Sequence, residues 1–204
     1  MENSVIIEDF GPRVASVWNG LRPATRNLVE RAWRSPAAAS TAEVAKAAPY
    51  DPRADRELSQ LLAALDDRAA NSSSAADEPS RKARRLADAC ASMLTQQTQS
   101  AEVFAQLIER AHSRQDFARI DALADAMAKR LAPSELCELA RAHNVVVRAL
   151  AHEVLAQAPA ALLRVLLHDP IDAEVGRAML ERQAHEYGSE EARRVLREFD
   201  EFGN

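Results

Sequence analysis

Two stretches of equal length decide the fold: Pro133–Leu155, PSELCELARAHNVVVRALAHEVL, and Ala160–Arg182, AALLRVLLHDPIDAEVGRAMLER. Each opens with a Leu-rich run, breaks at a polar residue (Asn144, Asp172), and resumes three residues later at a Val (Val147, Val175) that begins a second apolar stripe. Apolar residues three and four apart line one face of a helix. Asn and Asp are strong N-cap residues because their side chains accept hydrogen bonds from the unpaired N–H groups of a first turn. Each stretch therefore reads as a helix, a tight turn and a second helix. The same spacing continues on both sides: Asp116, Asn144, Asp172 and Asp200 recur every 28 residues, and the first three stand where a hairpin's second helix begins. One hairpin cannot bury its apolar face alone, whereas stacked hairpins share a continuous core.

Extended along the chain, the periodicity predicts helices at about 80–95, 100–113, 116–131, 133–142, 145–157, 159–168, 172–187 and 189–200. The breaks between them are only a few residues long, which makes consecutive helices antiparallel neighbours. The stretch LLRVLLHDPIDAEVGRAML (Leu162–Leu180) resembles the HEAT-type helical repeats. That resemblance covers roughly residues 100–200 and implies an α-solenoid of helical hairpins. Two departures stand out: the period is shorter than a typical HEAT unit, and Gly176 stands where those repeats carry the arginine that Arg148 supplies one unit earlier. The first unit, Phe117 to Leu131, fits with a one-residue slip. An irregular helical bundle of equal-length helices is the other arrangement open to these residues.

The N-terminal third has no such period. Pro12 and Pro23 are placed to start helices at about 12–21 and 23–34. Ser40 and Glu43 have capping-box spacing, opening a short helix that Pro49 closes. Pro52 starts a helix to about Ala70, with Leu58, Leu61, Leu62 and Leu65 as its stripe. Asn71–Ser80, NSSSAADEPS, holds no large apolar group and reads as a linker. The expected organisation is an all-α chain: a small helical unit over 1–70, a linker over 71–80, and a helical-hairpin stack over 81–204.

Composition supports helices: aromatics are 4% and there are five glycines, so the core must be Ala, Leu and Val. Only Lys46, Lys82 and Lys129 are lysine; the remaining basic residues are arginine, which with the Ala-rich composition points to a GC-rich, bacterial coding sequence. Residues 1–99 carry 13 basic and 13 acidic side chains, residues 100–204 carry 13 and 18, so the net charge of −5 lies in the second half. An acidic surface repels phosphate, which argues against nucleic-acid binding there. Cys90 and Cys137 each sit among apolar neighbours at helical spacing. A disulfide or two buried thiols both satisfy that pattern, and buried thiols are the ordinary state in a reducing compartment. An acidic N-terminus with a three-residue apolar run is not a secretory signal, and no apolar stretch approaches 18 residues. The expectation is a cytoplasmic protein that does not enter a membrane.

No motif specifies catalysis. There is no glycine-flanked serine at a strand-to-helix turn and no Gly-rich phosphate loop. Glu109 and His112 have the Glu-x-x-His spacing of carboxylate di-iron bundles, but no second such pair accompanies them. His152-Glu153 and His185-Glu186 lack the second His of a zinc-protease helix. His143 and His168 fall in last turns, where imidazolium suits the helix dipole. The expectation is therefore no catalytic residue, no metal and no cofactor. The run Arg81-Lys82-Ala83-Arg84-Arg85 suits an acidic partner or, as plainly, a solvated helix end balanced by Asp77, Glu78 and Asp88. Residues 22–69 also resemble the three helices of a helix-turn-helix unit. The would-be recognition helix is not basic, however: Asp51, Asp55 and Glu57 stand against Arg53 and Arg56.

The function expected is a non-enzymatic protein-protein interaction module, with a DNA-associated regulator using 22–69 as the alternative. The partner face follows from helix geometry. At about 100° per residue, centring the stripe on Val147 puts Ala149, His152, Glu153 and Ala156 on the far side. Centring it on Val175 puts Arg177, Leu180, Glu181 and Ala184 there, and on Ile120, Ala122, Asp125, Ala126 and Lys129. Few long charged residues and several small ones suit a face covered by another protein or by the N-terminal unit. High helix propensity accounts for exposed alanines equally well.

Overall fold

Pro12, Pro23, Pro52 and Pro133 each open a helix in the computed structural model, which describes residues 7–34, 50–71 and 77–202, the side chains of Glu8 and Phe202 excepted. Among these residues the chain is all-α, with no strand. After a 3₁₀ turn, Ile7–Phe10, come α1 (Pro12–Gly20), α2 (Pro23–Arg34), α3 (Pro52–Ala70) and α4 (Glu78–Gln97). Then follow α5 (Ala101–Ser113), α6 (Phe117–Arg130), α7 (Pro133–Ala140), α8 (Val145–Ala156), α9 (Ala160–Leu166), α10 (Ala173–Glu186) and α11 (Glu190–Phe202). The Ser40–Glu43 capping box, the helix that Pro49 closes and residues 72–76 of the expected linker lie outside the described residues.

The chain divides into two compact units at Val103/Phe104, within α5, and not at 71–80. The reason is the apolar face of α4. Leu86, Ala87, Cys90 and Leu94 recur at helical spacing and pack along α3, whose Leu58, Leu61, Leu62 and Leu65 face them; all eight are 0% exposed. Burying one leucine contributes roughly 2 kcal/mol, so neither helix is stable with that stripe in water. A Ser-rich composition signals only that the stretch itself buries nothing.

In the first unit α1 packs on α3, and α2 packs on α3 and α4. Charge is spent on joining these elements. The Arg22 guanidinium reaches Asp51 at 2.8 Å and Glu57 at 2.7 Å, and the Thr25 hydroxyl donates to Glu57. Arg22 holds the Asp51 carboxyl below the ordinary aspartate range. Asp51 also caps α3 by accepting from the Arg53 N–H. Asp55 is 2% exposed and accepts from the Tyr50 and Thr98 hydroxyls.

In the second unit the second helices of successive hairpins are neighbours, α6 on α8 and α8 on α10, and the intervening helices form another row, α7 on α9 and α9 on α11. Within hairpins α7 packs on α8 and α9 on α10. Asp116 and Asn144 cap α6 and α8 through hydrogen bonds from the Arg119 N–H and from the Val146 and Val147 N–H groups. Asp172 occupies the same position before α10 but caps nothing with its side chain. Buried to 4% exposure, it turns to the Arg141 guanidinium at 2.7 Å and so ties one hairpin turn to the next. Asp169 serves the turn in its place, accepting from the Ile171 N–H at 2.8 Å.

Gly176 has a steric reason. A Cβ there would meet the Leu166 Cβ at 2.7 Å and the Leu163 carbonyl oxygen at 3.3 Å. Gly176 thus marks a close approach of α9 and α10.

No single described helix is long and apolar enough to cross a membrane; α8 and α9 reach that apolarity only together, and they bend by 119° at their break.

Candidate interaction cleft

The face expected to be free is only partly so. Ala149, Glu181, Asp125, Ala122 and Lys129 are exposed, and His152, Glu153 and Arg177 are half-buried. Ala156, Leu180, Ala184 and Ala126 are buried, which corrects their placement on an open face. Two physical causes account for this. A second helix here has neighbours on two sides, α6 and α10 in the case of α8, so its buried arc is wider than one stripe. On α10 the phase also differs: Val175 is half-buried and the core side is Gly176, Met179, Leu180, Gln183 and Ala184. The bulkiest early residue had set the expected centre, whereas the close approach at Gly176 sets the real one.

Two of the expected site residues, Asp125 and Glu153, line one cleft of 440 Å3 within the second unit. Its walls are regular: Asp121, Ala124, Asp125 and Ala128 on α6, and Leu150, Glu153, Val154 and Gln157 on α8. Each set has the i, i+3, i+4, i+7 spacing that places four side chains on one helix face. The cleft is closed by Leu131 in the break after α6 with Pro133 and Leu136 on α7, and by Ala158 and Pro159 in the break after α8 with Leu162 on α9. Leu162, 47% exposed, is the large apolar side chain most open to solvent in this lining.

The electrostatics of the cleft follow from one repeat position. Asp125, Glu153 and Glu181 are 28 residues apart on three successive second helices, and the residues four before them are Asp121, Ala149 and Arg177. Glu181 is therefore neutralised from its own helix, by Arg177 at 3.0 Å, and Arg177 also grips Asp200 with two hydrogen bonds of 2.8 and 3.2 Å. Glu153 accepts from Gln157 at 3.0 Å and from Arg182 at 3.0 Å, and these hold its carboxyl below the ordinary glutamate range. Arg182 also pairs with Glu186 at 2.9 Å. Among the described residues neither Asp121 nor Asp125 has an ion-pair partner, and they stand four apart on one face, where like charges repel by a few tenths of a kcal/mol, roughly. The row of carboxylates is closed at α10 and open at α6.

Ala149 and His152 lie on the same side of α8 but outside the cleft lining, and Arg177 and Glu181 belong to the ion-pair network rather than to it. The apolar part of the cleft was invisible to the helical-wheel argument because it comes from the breaks and from the neighbouring helices α7 and α9. Asp125 and Glu153 were within reach of the sequence because they share a repeat position.

Among the described residues the cleft lining carries no Cys, Ser, Thr, His or Lys side chain. Cys137 and Cys90 are buried and not joined in a disulfide; burial first, then the Asp172 charge, pushes the Cys137 thiol up to about 11, far from a reactive thiolate. No three His, Cys, Asp or Glu side chains among the described residues gather as a metal site. The basic run at the start of α4 is used locally: Arg81 pairs with Glu78 at 2.8 Å, and Arg85 lies over the Trp33 ring at 5.1 Å. No protein-family model, curated protein or solved structure matches the chain.

Proposed function

We propose that the second unit is a short HEAT-like stack of helical hairpins and that the chain acts as a non-enzymatic protein-interaction module, binding its partner at the α6–α8 cleft. The observation that carries this reading is the pairing of an apolar cleft with two carboxylates, Asp121 and Asp125, that have no ion-pair partner among the described residues. Acids that stabilise a fold are paired, as Glu181 is by Arg177; acids left open beside apolar surface suit recognition. The neighbour relations of α6 to α11, alternate helices in two rows, support the stack. The test is a pull-down from the native organism, read by mass spectrometry, with the wild-type chain and with Ala128→Arg. Ala128 is exposed in the cleft wall, and arginine is a good helix former, so the variant folds with the cleft filled. A protein captured by the wild type and lost with the variant supports the reading; identical captures refute it.

A DNA-associated regulator is the second reading, favoured by one observation: Arg53, Arg56 and Gln60 are exposed along the first turns of α3. Because non-specific DNA affinity rises steeply as salt falls, a gel shift at low salt that Arg53→Ala/Arg56→Ala abolishes would support it. Absence of any shift would remove it.

A further inference from the structure

Resting on the interaction reading above, we propose that the α6–α8 cleft takes a basic, leucine-bearing peptide segment of a partner protein, one large apolar side chain seated at the Leu131–Leu136–Leu162 end and a lysine or arginine held by Asp121 and Asp125. Three observations fix this chemistry. The first is charge. Asp121 and Asp125 face one cleft without an ion-pair partner among the described residues, and Glu153 opposes them with its own cation already supplied by Arg182. No cation among the described residues is in ion-pair contact with the two α6 carboxylates, although Lys129 stands four residues after Asp125, and a cation brought by a partner completes the cleft. The second is the direction of the helices. The cleft runs toward the C-terminal ends of α6 and α8, at Ala128 and Gln157, where the negative end of the helix dipole adds to the field of the carboxylates, the Ala156 and Ala158 carbonyls at the α8 end already accepting from Gln183. Lys129 and Arg130 in the last turn of α6 are not part of the lining.

The third is size and shape. A cleft of 440 Å3 has room for a few side chains and not for a folded domain. Ala124 and Ala128 alternate with the two aspartates along α6, so a peptide backbone can come close to that wall while its side chains reach the carboxylates. This is helix-in-groove geometry, in which apolar anchors recur at i, i+3 or i+4 between charged positions. A small organic cation would satisfy the aspartates but leave the leucine-lined end in water. For that reason the apolar anchor belongs to the proposal.

The test uses the full chain and a fluorescein-labelled, amidated helical peptide of lysines and leucines at i, i+3, i+4 spacing, followed by fluorescence anisotropy. The same peptide with glutamate for lysine, and with serine for leucine, supply two further arms. Binding of the Lys/Leu peptide alone is expected, weakened about tenfold by Asp121→Asn/Asp125→Asn and similarly by Leu162→Ser. The charge-matched control Glu174→Gln/Glu191→Gln, which removes two exposed acids outside the cleft lining, leaves affinity unchanged. If the control weakens binding as much as the aspartate pair does, the attraction is to net charge and the proposal fails. It fails also if the lysine peptide without leucines binds equally well, which would mark a site for a simple cation. Loss of peptide binding alongside a pull-down partner that Ala128→Arg still releases would overturn only the partner chemistry. Absence of any such partner would overturn the interaction reading beneath it.

Discussion

Helices α6 and α10 are the second helices on either side of α8, yet they treat the same acidic position in opposite ways. On α10, Glu181 is paired by Arg177, which also binds Asp200 on α11, and the core side is set by a glycine that lets α9 approach. On α6, Asp125 has Asp121 where α10 has Arg177, and the pair faces a cleft. At this 28-residue spacing the residue four places earlier decides whether the acid has an ion-pair partner among the described residues: an arginine on α10 supplies one and an aspartate on α6 does not.

Two sizeable effects are expected, the first at Gly176→Ala. Helix propensity alone would gain about 1 kcal/mol from the change, but the new Cβ would stand 2.7 Å from the Leu166 Cβ, which belongs to a backbone-fixed part of the side chain. Overpacking of this kind costs about 1–3 kcal/mol. Urea unfolding should show the loss, and an unchanged or higher midpoint would mean that α9 and α10 are not that close.

The second is at Asp172, which shares the 28-residue spacing with Asn144. Asp172→Ala removes a buried carboxylate and its charged hydrogen bond to the Arg141 guanidinium, so a cost of about 2 kcal/mol is expected. Asn144→Ala removes only a cap, worth about 1 kcal/mol. Equal losses would show that Asp172 is an ordinary cap after all.

A smaller effect concerns pH. The Arg177 guanidinium lowers the Asp200 carboxyl below its ordinary value of 3.8. A folded-state value below the unfolded one gives stability that is present above about pH 4 and is lost as pH falls through the folded value. In Arg177→Gln the Asp200 carboxyl should titrate at higher pH by NMR, and the acid limb of the stability profile should be shallower. An unmoved Asp200 titration would mean that the pair is not formed in solution.

Much of the helix pattern was legible because it depends on local chemistry. Prolines at first positions and Asp116, Asn144 and Asp172 at caps mark helix starts from neighbouring residues alone, and the observed starts at Phe117, Val145 and Ala173 follow them directly. What depends on two helices meeting was not legible. The phase of α10 is set by contact between Gly176 and Leu166, and the burial of Ala156 and Leu180 is tertiary in the same way. The division at Val103/Phe104 follows from α3 and α4 needing each other, which linker composition at 71–80 cannot reveal. Of the candidate site, the shared 28-residue spacing carried Asp125 and Glu153, while Leu131 reaches the cleft from a break and Pro133 and Leu162 from the starts of α7 and α9.

The claim that Asp121 and Asp125 serve recognition is tested most directly by measuring stability and binding on one variant, Asp121→Asn/Asp125→Asn. Removing a repulsion between like charges four residues apart should leave the unfolding midpoint unchanged or raise it by a few tenths of a kcal/mol, roughly, while capture of the partner that Ala128→Arg releases is lost. A destabilised variant that still captures that partner would contradict the account, because the two aspartates would then serve the fold and not recognition.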